Sequence, residues 1–480
     1  MSTSIAKFLV ENASKNYISF HMPGHKGSAI YAELGYSEFI DKIVDCDITE
    51  IIGADNLFKA EGIIKNTAER YAELYNAKKS YLLVNGSSGG IISAILAVVP
   101  KGGKLIMARN SHKSIFNTLS LGDIQPVYAY SEMIEKYGIT GEIKKEHIEE
   151  LLKENTDASA VILPSPNYYG ICSDIKGIAD VVHKYGKILI VDQAHGAHLK
   201  FFRDYPKCAE DQGADIVINS THKTLASFTG SAILNVCSER VDLFELEDKL
   251  QSIETSSPSY LLMASLDINA DILEKHGMEL TKLWMDNIEW AYETFSKIEG
   301  LEVLMCDNMD RTKINISMSS LGLDGAELEL ELLKHGIRAE LITGDILMLM
   351  SGIGNTRQHF EKLYEALENI AYSQRMKIAK DDIKGKISKK KVNLALQVKP
   401  FGEQKLYAVP RKKYLKKLSQ SVDEICASSI IPYPPGIPIV CPGEKITREM
   451  VEYVEGLIDA KEKVIGVTEE GCIFVGDMSV

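Results

Sequence analysis

Short apolar runs alternate along the first half of the chain with stretches whose apolar residues recur at helical spacing. The runs that predict strands are residues 80–84, 104–107, 126–129, 158–163, 187–191, 214–219 and 231–236. Helical spacing occupies segments between them, for example residues 61–76, 91–99 and 175–185. Such alternation of strands and helices predicts an α/β fold with a mostly parallel sheet covered by helices on both faces.

The pattern changes beyond residue 240, where helical spacing dominates at residues 241–250 and 260–275 and then in an amphipathic run to about 298. Residues 302–305, 313–317 and 346–350 predict strands of a second α/β region, and residues 374–392 are rich in lysine. We therefore predict five parts, given by residue number: an N-terminal segment 1–55, a large domain 56–290, a small α/β domain 291–375, a linker 376–394 and a C-terminal α+β domain 395–480.

Ionisable and amide side chains follow the predicted strands at their C-terminal ends, where ligands of parallel sheets bind. They are His112, Asn167, Asp192, His195 and Lys223. Lys223 stands between two apolar strands, so its amine is either a turn lysine with a paired charge or a neutral, reactive group such as a Schiff-base lysine requires. Asp192 ends an apolar strand, where a carboxylate either caps backbone groups or pairs with a cation.

A strand, a glycine- and serine-rich loop and an apolar helix follow one another at residues 80–99, with the sequence NGSSGG at residues 85–90. This order offers free backbone N–H groups to a phosphate, although a tight turn before a helix also requires glycine. The loop fits no nucleotide motif. A second glycine-rich segment, residues 351–357, has Arg357 where a dinucleotide fingerprint has its third glycine, so we discount it.

Composition excludes several classes of partner. The chain has 480 residues and a formal net charge of −13, which argues against nucleic acid or an anionic membrane as the main partner. No apolar run approaches the roughly 18 residues of a membrane span, and no signal peptide is evident. The eight cysteines lack a C-x-x-C pair, and several lie inside apolar runs, which is typical of reduced core residues in a cytoplasmic protein. His195 and His198 have no third ligand at convincing spacing, so we expect no metal.

These groups fit one chemistry. The Gly/Ser loop can bind a phosphate, Asp192 can pair with a cationic ring nitrogen, His112 can stack on a flat ring, and Lys223 can supply an amine. Together they predict a site for pyridoxal 5'-phosphate.

Six motifs carry a family resemblance, in order from about residue 20 to the C-terminus. They are HMPGHKG at 21–27, NGSSGG at 85–90, RNSHKS at 109–114, DQAHGAH at 192–198, STHKT at 220–224 and YPPGIP at 433–438. The chain resembles the ornithine/lysine/arginine decarboxylase family, which has the aspartate-aminotransferase fold. The resemblance implies pyridoxal-phosphate-dependent decarboxylation of a basic amino acid. Arginine, giving agmatine, is our first expectation, and lysine, giving cadaverine, or ornithine, giving putrescine, are alternatives.

The positions at strand ends and the family resemblance together suggest roles for individual residues. Lys223, Asp192 and His112 are the expected catalytic residues. The expected cofactor-binding set is Ser87, Ser88, Gly89, His112, Asp192, His195, Ser220, His222, Lys223 and Ser256. Glu444 and Asn167 are expected to bind the substrate. Ser256 and Glu444 are expected to act across a subunit boundary, so the resemblance implies a homodimer or higher assembly with a shared active site.

Departures from the family leave alternatives open. Gln193 stands where many short relatives have glutamate, and Gly230 where they tend to have glutamine or methionine, so the exact substrate stays open. The sequence resembles the short form of the family, without the N-terminal regulatory domain of the large inducible members, so we do not assume their higher assemblies. An aminotransferase or lyase on the same fold, a non-catalytic amino-acid or polyamine sensor, and a nucleotide-binding regulator remain rival interpretations.

Overall fold

The computed structural model describes residues 4–203, 206–383, 406–410, 412–432, 438–459 and 463–476. Within these ranges the largest sheet has seven strands, in spatial order Lys79–Leu83, Ala232–Val236, Ile216–Asn219, Ile188–Asp192, Ala158–Pro164, Lys104–Ala108 and Gln125–Ala129. The Ala232–Val236 strand runs antiparallel to both of its neighbours, and the other adjacent pairs are parallel. The mostly parallel sheet that the sequence predicts is confirmed.

Apolar strand residues are buried on both faces of this sheet, because helices cover both sides. One face packs against Ile91, Ile95 and Phe116 in a shared core. The other face packs against Ile148 and Val182. The inner strands therefore have no solvent-facing side, whereas the edge strands Lys79–Leu83 and Gln125–Ala129 are partly exposed.

Several α-helices of the described chain begin at side-chain caps that the sequence supplies. Asp242, Asp174 and Ser259 each accept a backbone N–H from the first turn that follows them. In chain order the helices are Ile5–Ala13, Ala29–Glu33, Ser37–Asp41, Ile63–Tyr75, Gly86–Val98, Lys113–Gly122, Lys145–Glu154, Ile175–Lys184, Thr221–Thr224, Leu243–Ile253, Tyr260–Phe295, Gly325–Lys334, Arg357–Ile383 and Arg448–Asp459.

A second sheet follows in the chain and is antiparallel. Its strands, in spatial order, are Glu302–Val303, Lys313–Ser317, Ile346–Met350 and Leu341–Thr343. The short strand Ile18–Ser19, near the N-terminus, pairs with Ile337–Arg338 beside it. The start of the chain is thereby attached to the small domain before it enters the large one.

Two helices run across domain boundaries that the sequence predicts. Tyr260–Phe295 is one continuous helix that crosses the boundary at residue 290, whereas we expected a helix to about 275 and a separate run. Arg357–Ile383 continues past residue 375 into the predicted linker, and residues 384–394 of that linker lie outside the described residues. Lysine-rich composition did not end the helix, since lysine is a good helix former.

The C-terminal part is α+β. Strands Tyr414–Lys417, Cys472–Gly476 and Ile425–Cys426 form one sheet, Ile431–Pro432 pairs with Val464–Ile465, and helix Arg448–Asp459 packs in the same core. Residues 433–437 of the YPPGIP motif lie outside the described residues. Nowhere in the described ranges is a helix both long enough and apolar enough to cross a membrane.

Candidate active site

A cavity of about 180 Å³ opens at the C-terminal ends of the parallel strands. Its walls come from Gly86, Ser87, Ser88, His112, Pro164, Pro166, Tyr168, Asp192, Ala194, His195, Ser220, His222 and Lys223. Most of the residues expected from the sequence to bind the cofactor meet here, because adjacent parallel strands deliver their ends to one edge of the sheet.

The amine of Lys223 reaches into this cavity from the short helix Thr221–Thr224, which follows the Ile216–Asn219 strand directly. Its Nζ lies 2.9 Å from Nε2 of His195. Burial lowers the pKa of Lys223, while the carboxylates of Asp192 and Glu340 act in the opposite direction. The amine is therefore easier to deprotonate than an exposed lysine, as a nucleophile must be.

Asp192 ends the Ile188–Asp192 strand and is buried. Its Oδ1 accepts a hydrogen bond from the backbone N–H of Ala194 at 3.1 Å. Burial raises the pKa of Asp192, and the positive charge of Lys223 counteracts this. A carboxylate so placed gains stability from any cationic group that binds in the cavity.

His112 presents a neutral ring to the cavity. Its Nδ1 accepts the backbone N–H of Ser114, and the residue caps the Lys113–Gly122 helix. Burial, with the charges of Lys223 and Lys113, lowers the pKa of His112 to about 3. The proton of the neutral imidazole consequently resides on Nε2, since Nδ1 is the acceptor.

The opposite end of the cavity is lined by hydroxyls and by the start of a helix. Ser87 and Ser88 lie in the first turn of Gly86–Val98, where backbone N–H groups lack intrahelical acceptors. Gly86 has φ +69°, a left-handed conformation that suits glycine. His222 donates from Nδ1 to the carbonyl of Ser231 at 2.7 Å, and burial lowers the pKa of His222 to about 4.

Two buried polar atoms in this cavity test whether pyridoxal phosphate fits. Within the described chain, Oγ of Ser220 and Nδ1 of His195 have no hydrogen-bond partner. Leaving such atoms unpaired costs free energy, so their presence beside a cavity is typical of a ligand site. With a helix N-terminus for a phosphate and Asp192 for a pyridinium, the residues present fit the cofactor.

Gly89 and Ser256 do not line the cavity. Gly89 is buried, and a Cβ placed on it would lie 2.8 Å from Oε1 of Glu254, so its small size serves helix packing. Ser256 is exposed beyond the Leu243–Ile253 helix. Its expected contact with the phosphate of a neighbouring subunit stays a prediction.

Asn167 and Glu444 differ from the free substrate-binding groups that we expected. The Asn167 amide donates to the carbonyl of Thr140 at 2.8 Å and accepts the N–H groups of Tyr169 and Ile171, so it organises its own loop. Glu444 is buried, and its carboxylate receives Nε and Nη2 of Arg109 at 2.6 and 3.0 Å. In this chain both side chains are already bound to protein groups.

Gln193 also points away from the cavity. Its amide nitrogen donates to Glu210 and Asn219, at 2.9 Å each, and its oxygen accepts the N–H of Ala209 at 2.7 Å. A glutamate here would place a second carboxylate against buried Glu210. The departure at 193 therefore matches a neighbouring side chain, and its bearing on the substrate stays a prediction.

The glycine-rich segment at residues 351–355 packs backbone on backbone. A Cβ on Gly352 would lie 2.6 Å from Gly24, and one on Gly354 would lie 2.1 Å from the carbonyl oxygen of His25. Gly24 in turn donates its N–H to the carbonyl of His222 at 2.7 Å. The HMPGHKG loop is thus held against the segment that carries Lys223, and its glycines permit the close approach.

Sequence reasoning missed Tyr168, Ala194 and the two prolines that line the cavity. The ring of Tyr168 lies 4.8 Å from that of His195, centroid to centroid. The available signal was position, because the loop 164–170 follows a strand end just as the DQAHGAH segment does. We chose the amide of Asn167 from that loop, whereas its neighbour faces the cavity.

Comparison with known proteins agrees with this geometry. The family described as Orn/Lys/Arg decarboxylase, major domain, matches residues 3–318, and its C-terminal domain matches residues 404–471. The uncharacterized protein YaaO of Bacillus subtilis (strain 168) is 32% identical over 97% of this chain and 96% of its own length. Arginine decarboxylase of the same organism is 30% identical over 95% of this chain and 94% of its own length.

A solved structure is similar over nearly the whole chain. The constitutive lysine decarboxylase of E. coli has a TM-score of 0.74 at 19% identity, covering 97% of this chain and 81% of that one. Since the family's major domain matches more than half of the sequence and its C-terminal domain follows in place, the chain belongs to the ornithine/lysine/arginine decarboxylase family and is a pyridoxal-phosphate-dependent amino-acid decarboxylase.

Proposed function

We propose that the protein removes carbon dioxide from arginine and releases agmatine. The observation that carries the proposal is the partly buried amine of Lys223, which shares one cavity with the buried carboxylate of Asp192. The choice of arginine is supported by the near full-length match to a relative named arginine decarboxylase. Lysine and ornithine are the alternatives.

The residues divide into two groups by the part of the cofactor that they would hold. Ser87, Ser88 and Ser220 offer hydroxyls, and the first turn of Gly86–Val98 offers N–H groups, for the phosphate. His222 lies beside them, and its Nε2 donates only when the ring is protonated, because Nδ1 already donates to Ser231. This end of the cavity anchors the cofactor without entering the chemistry.

The other group acts on the reaction. When bound, pyridoxal phosphate accepts the electron pair left by the departing carboxylate. Asp192 would hold the proton on the ring nitrogen that this chemistry requires. His112 would contact and orient the ring, and Lys223 would supply the neutral amine that attaches the cofactor to the protein.

Glu444 and Asn167 can bind the substrate, as we expected, only if the hydrogen bonds that they make to protein groups in this structure break. Removing Arg109 from Glu444 would leave the buried carboxylate of Glu444 unpaired, which costs about 3–5 kcal/mol. A substrate guanidinium could exchange for Arg109, because both make the same two-point contact with a carboxylate.

We also propose a cytoplasmic homodimer. The eight cysteine thiols are free, which suits a reducing compartment. A groove of about 770 Å³, lined in part by Leu57, Ile64 and Phe244, extends to Glu254, two residues before Ser256. Among these groove residues the side chain of Phe244 is exposed, and an exposed apolar side chain near the residue expected to reach a second subunit supports that assembly. Light scattering of the purified protein measures its mass.

The test of the proposed reaction is carbon dioxide release from arginine, lysine and ornithine, with chromatography of the amine product. We expect agmatine to dominate. A keto acid in place of an amine would indicate an aminotransferase, and cofactor binding without any product would indicate a sensor.

Borohydride treatment followed by peptide mass mapping tests the assigned amine. We expect the cofactor label at Lys223, and its loss in Lys223→Arg but not in Lys113→Arg, which alters a lysine next to the cavity residue His112. A label at another position would contradict the proposal.

A further inference from the structure

A second lysine lies directly behind the site. Lys313, the first residue of the Lys313–Ser317 strand, has a fully buried side chain. Its Nζ donates to the backbone carbonyl of His195, to Oδ2 of Asp310 at 2.6 Å and to the hydroxyl of Thr312 at 3.2 Å. All three N–H donors of the ammonium are therefore used, one of them on the residue that contacts Lys223.

The network continues from Asp310 to the other side of the site. His198 is fully buried, with Nε2 3.1 Å from Oδ1 of Asp310 and Nδ1 3.2 Å from the hydroxyl of Thr224. A carboxylate can only accept, so Nε2 carries the proton, and Nδ1 of the neutral ring accepts from Thr224. Thr224 directly follows Lys223 in the sequence.

Burial would raise the pKa of Asp310, but His198 and Lys313 lower it well below its usual value. Burial lowers the pKa of His198, so its ring is neutral near pH 7. The network therefore contains one ammonium and one carboxylate, buried together.

Three separate stretches of chain meet through these contacts. They are the loop after Asp192, the helix Thr221–Thr224 and the turn at residues 310–313 of the small domain. Burying a Lys–Asp pair adds little net stability compared with apolar side chains of the same volume. Lys313 instead holds the backbone carbonyl of His195, and His198 holds Thr224, which directly follows Lys223. The network thereby fixes the two cavity residues His195 and Lys223 relative to each other.

We propose that Lys313, Asp310 and His198 are positioning residues, which hold the imidazole of His195 against the amine of Lys223 and adjust the charge that this amine experiences. The proposal rests on the proposed function in one respect: Lys223 is taken as the amine that binds the cofactor. None of the three residues lines the cavity, so they act through His195 and Thr224.

Several charged or titratable groups face Lys223, and the test must separate them. Asp192, Glu340 and Lys313 act on it through their charges, and His195 contacts it directly. His112 and His222 lie close enough for Lys223 to lower their pKa. Changing only the Lys313–Asp310 pair leaves the other neighbours, Asp192, Glu340 and the three histidines, in place.

The experiment uses full-length protein freed of cofactor, to which pyridoxal phosphate is added at a series of pH values. The initial rate of borohydride-trapped attachment at Lys223 is measured by peptide mass mapping. Lys313→Met removes a cation, so the pKa of Lys223 and the midpoint of the rate profile should rise by about one pH unit. Asp310→Asn removes an anion, so the midpoint should fall.

The double variant Lys313→Met with Asp310→Asn separates charge from geometry. Its midpoint should return close to that of the wild type, because one charge of each sign is lost. Its kcat should still fall at least about tenfold, with KM little changed, because His195 loses its anchor. A wild-type kcat in the double variant would overturn the positioning role.

Asp215→Asn is the matched control. Asp215 is fully buried and pairs with His183 at 2.9 Å, outside the cavity, so its loss should lower stability without moving the midpoint. Midpoints that shift in the same direction in Lys313→Met and Asp310→Asn, or in neither, overturn the proposal. A wild-type protein that attaches no cofactor at Lys223 would instead overturn the proposed function.

Discussion

At the scale of single residues, the site combines Asp192 and Lys223, and burial disfavours the charged form of each. Burial raises the pKa of Asp192 and lowers that of Lys223, while each group's charge favours ionisation of the other. The pair can exchange one partner for another, because a bound pyridinium offers Asp192 the positive charge that Lys223 provides before the cofactor binds. The site is therefore prepared for a cation next to Asp192.

Asp192→Asn tests whether the reaction depends on this carboxylate. The amide keeps the shape of the carboxylate but cannot hold a proton on the ring nitrogen, so kcat should fall by about three orders of magnitude or more, which corresponds to at least ~4 kcal/mol. Cofactor binding, measured from absorbance, should persist because the phosphate contacts are unchanged. Turnover equal to the wild type would contradict the assigned role.

Ser220→Ala gives effects of opposite sign on stability and binding. The Ser220 hydroxyl is buried without a partner, so removing it should leave the melting temperature of the cofactor-free protein unchanged or higher. The same change should weaken cofactor binding about tenfold, the value of roughly one hydrogen bond. Thermal melting and a binding titration measure the two effects.

Ser231→Ala is the control for that variant. Ser231 is also buried, but its hydroxyl already bonds to Ser227 at 2.8 Å. Its removal should destabilise the cofactor-free protein. If Ser220→Ala behaves in the same way as Ser231→Ala, Ser220 is structural.

At the scale of residues, the sequence indicated the site correctly where a side chain directly follows a predicted strand. Asp192 and Lys223 follow apolar runs, and the fold brings such positions together by topology alone. The orientation of a side chain within a loop has no such signal, which is why Asn167 was chosen and Tyr168 missed. The pairing of Glu444 with Arg109 joins positions far apart in the chain, so no local pattern could indicate it.

At the scale of elements, the end of one helix meets the start of another beside the site. Glu254 follows the Leu243–Ile253 helix and lies against Gly89 in the Gly86–Val98 helix. Its Oε1 is buried without a partner among the described residues, and Oε2 accepts the N–H of Val84 at only 3.4 Å. Burial raises the pKa of Glu254 to about 7.

Glu254→Gln tests the pH dependence that follows. The carboxyl loses its proton near 4.5 in the unfolded chain and near 7 in the folded one. Between these values the folded state binds more protons, so the free energy of unfolding falls as pH rises, by up to about 3 kcal/mol. The variant should melt at a higher temperature relative to wild type at pH 8 than at pH 5.

Glu247→Gln is the control, because Glu247 lies on the same helix and bonds to Lys79 at 2.5 Å near the surface. It should not reproduce the changed pH dependence. Equal differences in melting temperature at pH 5 and pH 8 for Glu254→Gln would show that Glu254 is ionised throughout.

The sequence predicted strands and helices where a single spacing of apolar residues dominates. The apolar strands of the large sheet are buried on both faces, so their continuous runs stand out. The helix Tyr260–Phe295 was not recognised as one element, although its apolar spacing continues, because helices of 36 residues are rare in globular domains. The role of Gly352 and Gly354 depends on contact with Gly24 and His25, and only the fold shows it.

At the scale of the whole molecule, one arginine joins the large domain to the C-terminal domain. Arg109 follows the Lys104–Ala108 strand and also donates to the carbonyls of Pro438 and Ile439, at 2.6 and 3.0 Å. Tyr128 donates to the carbonyl of Pro442 at 2.8 Å beside it. The motif RNSHKS therefore holds the C-terminal domain with Arg109 and lines the cavity with His112, three residues later.

Glu444→Gln decides between docking and substrate binding. If Glu444 serves docking, the variant leaves the partly buried Arg109 without a counter-ion, and the melting temperature should fall in keeping with a loss of about 3 kcal/mol. Adding Arg109→Met should recover part of that loss, since no unpaired charge remains. The KM for arginine should stay near the wild-type value in Glu444→Gln.

Glu424→Gln, in a more exposed pair with Lys416, is the control and should change neither the melting temperature nor KM. A large rise in KM without a fall in melting temperature would assign Glu444 to the substrate instead. Arg109 would then be the group that a substrate displaces, and closure of the C-terminal domain would be coupled to substrate binding.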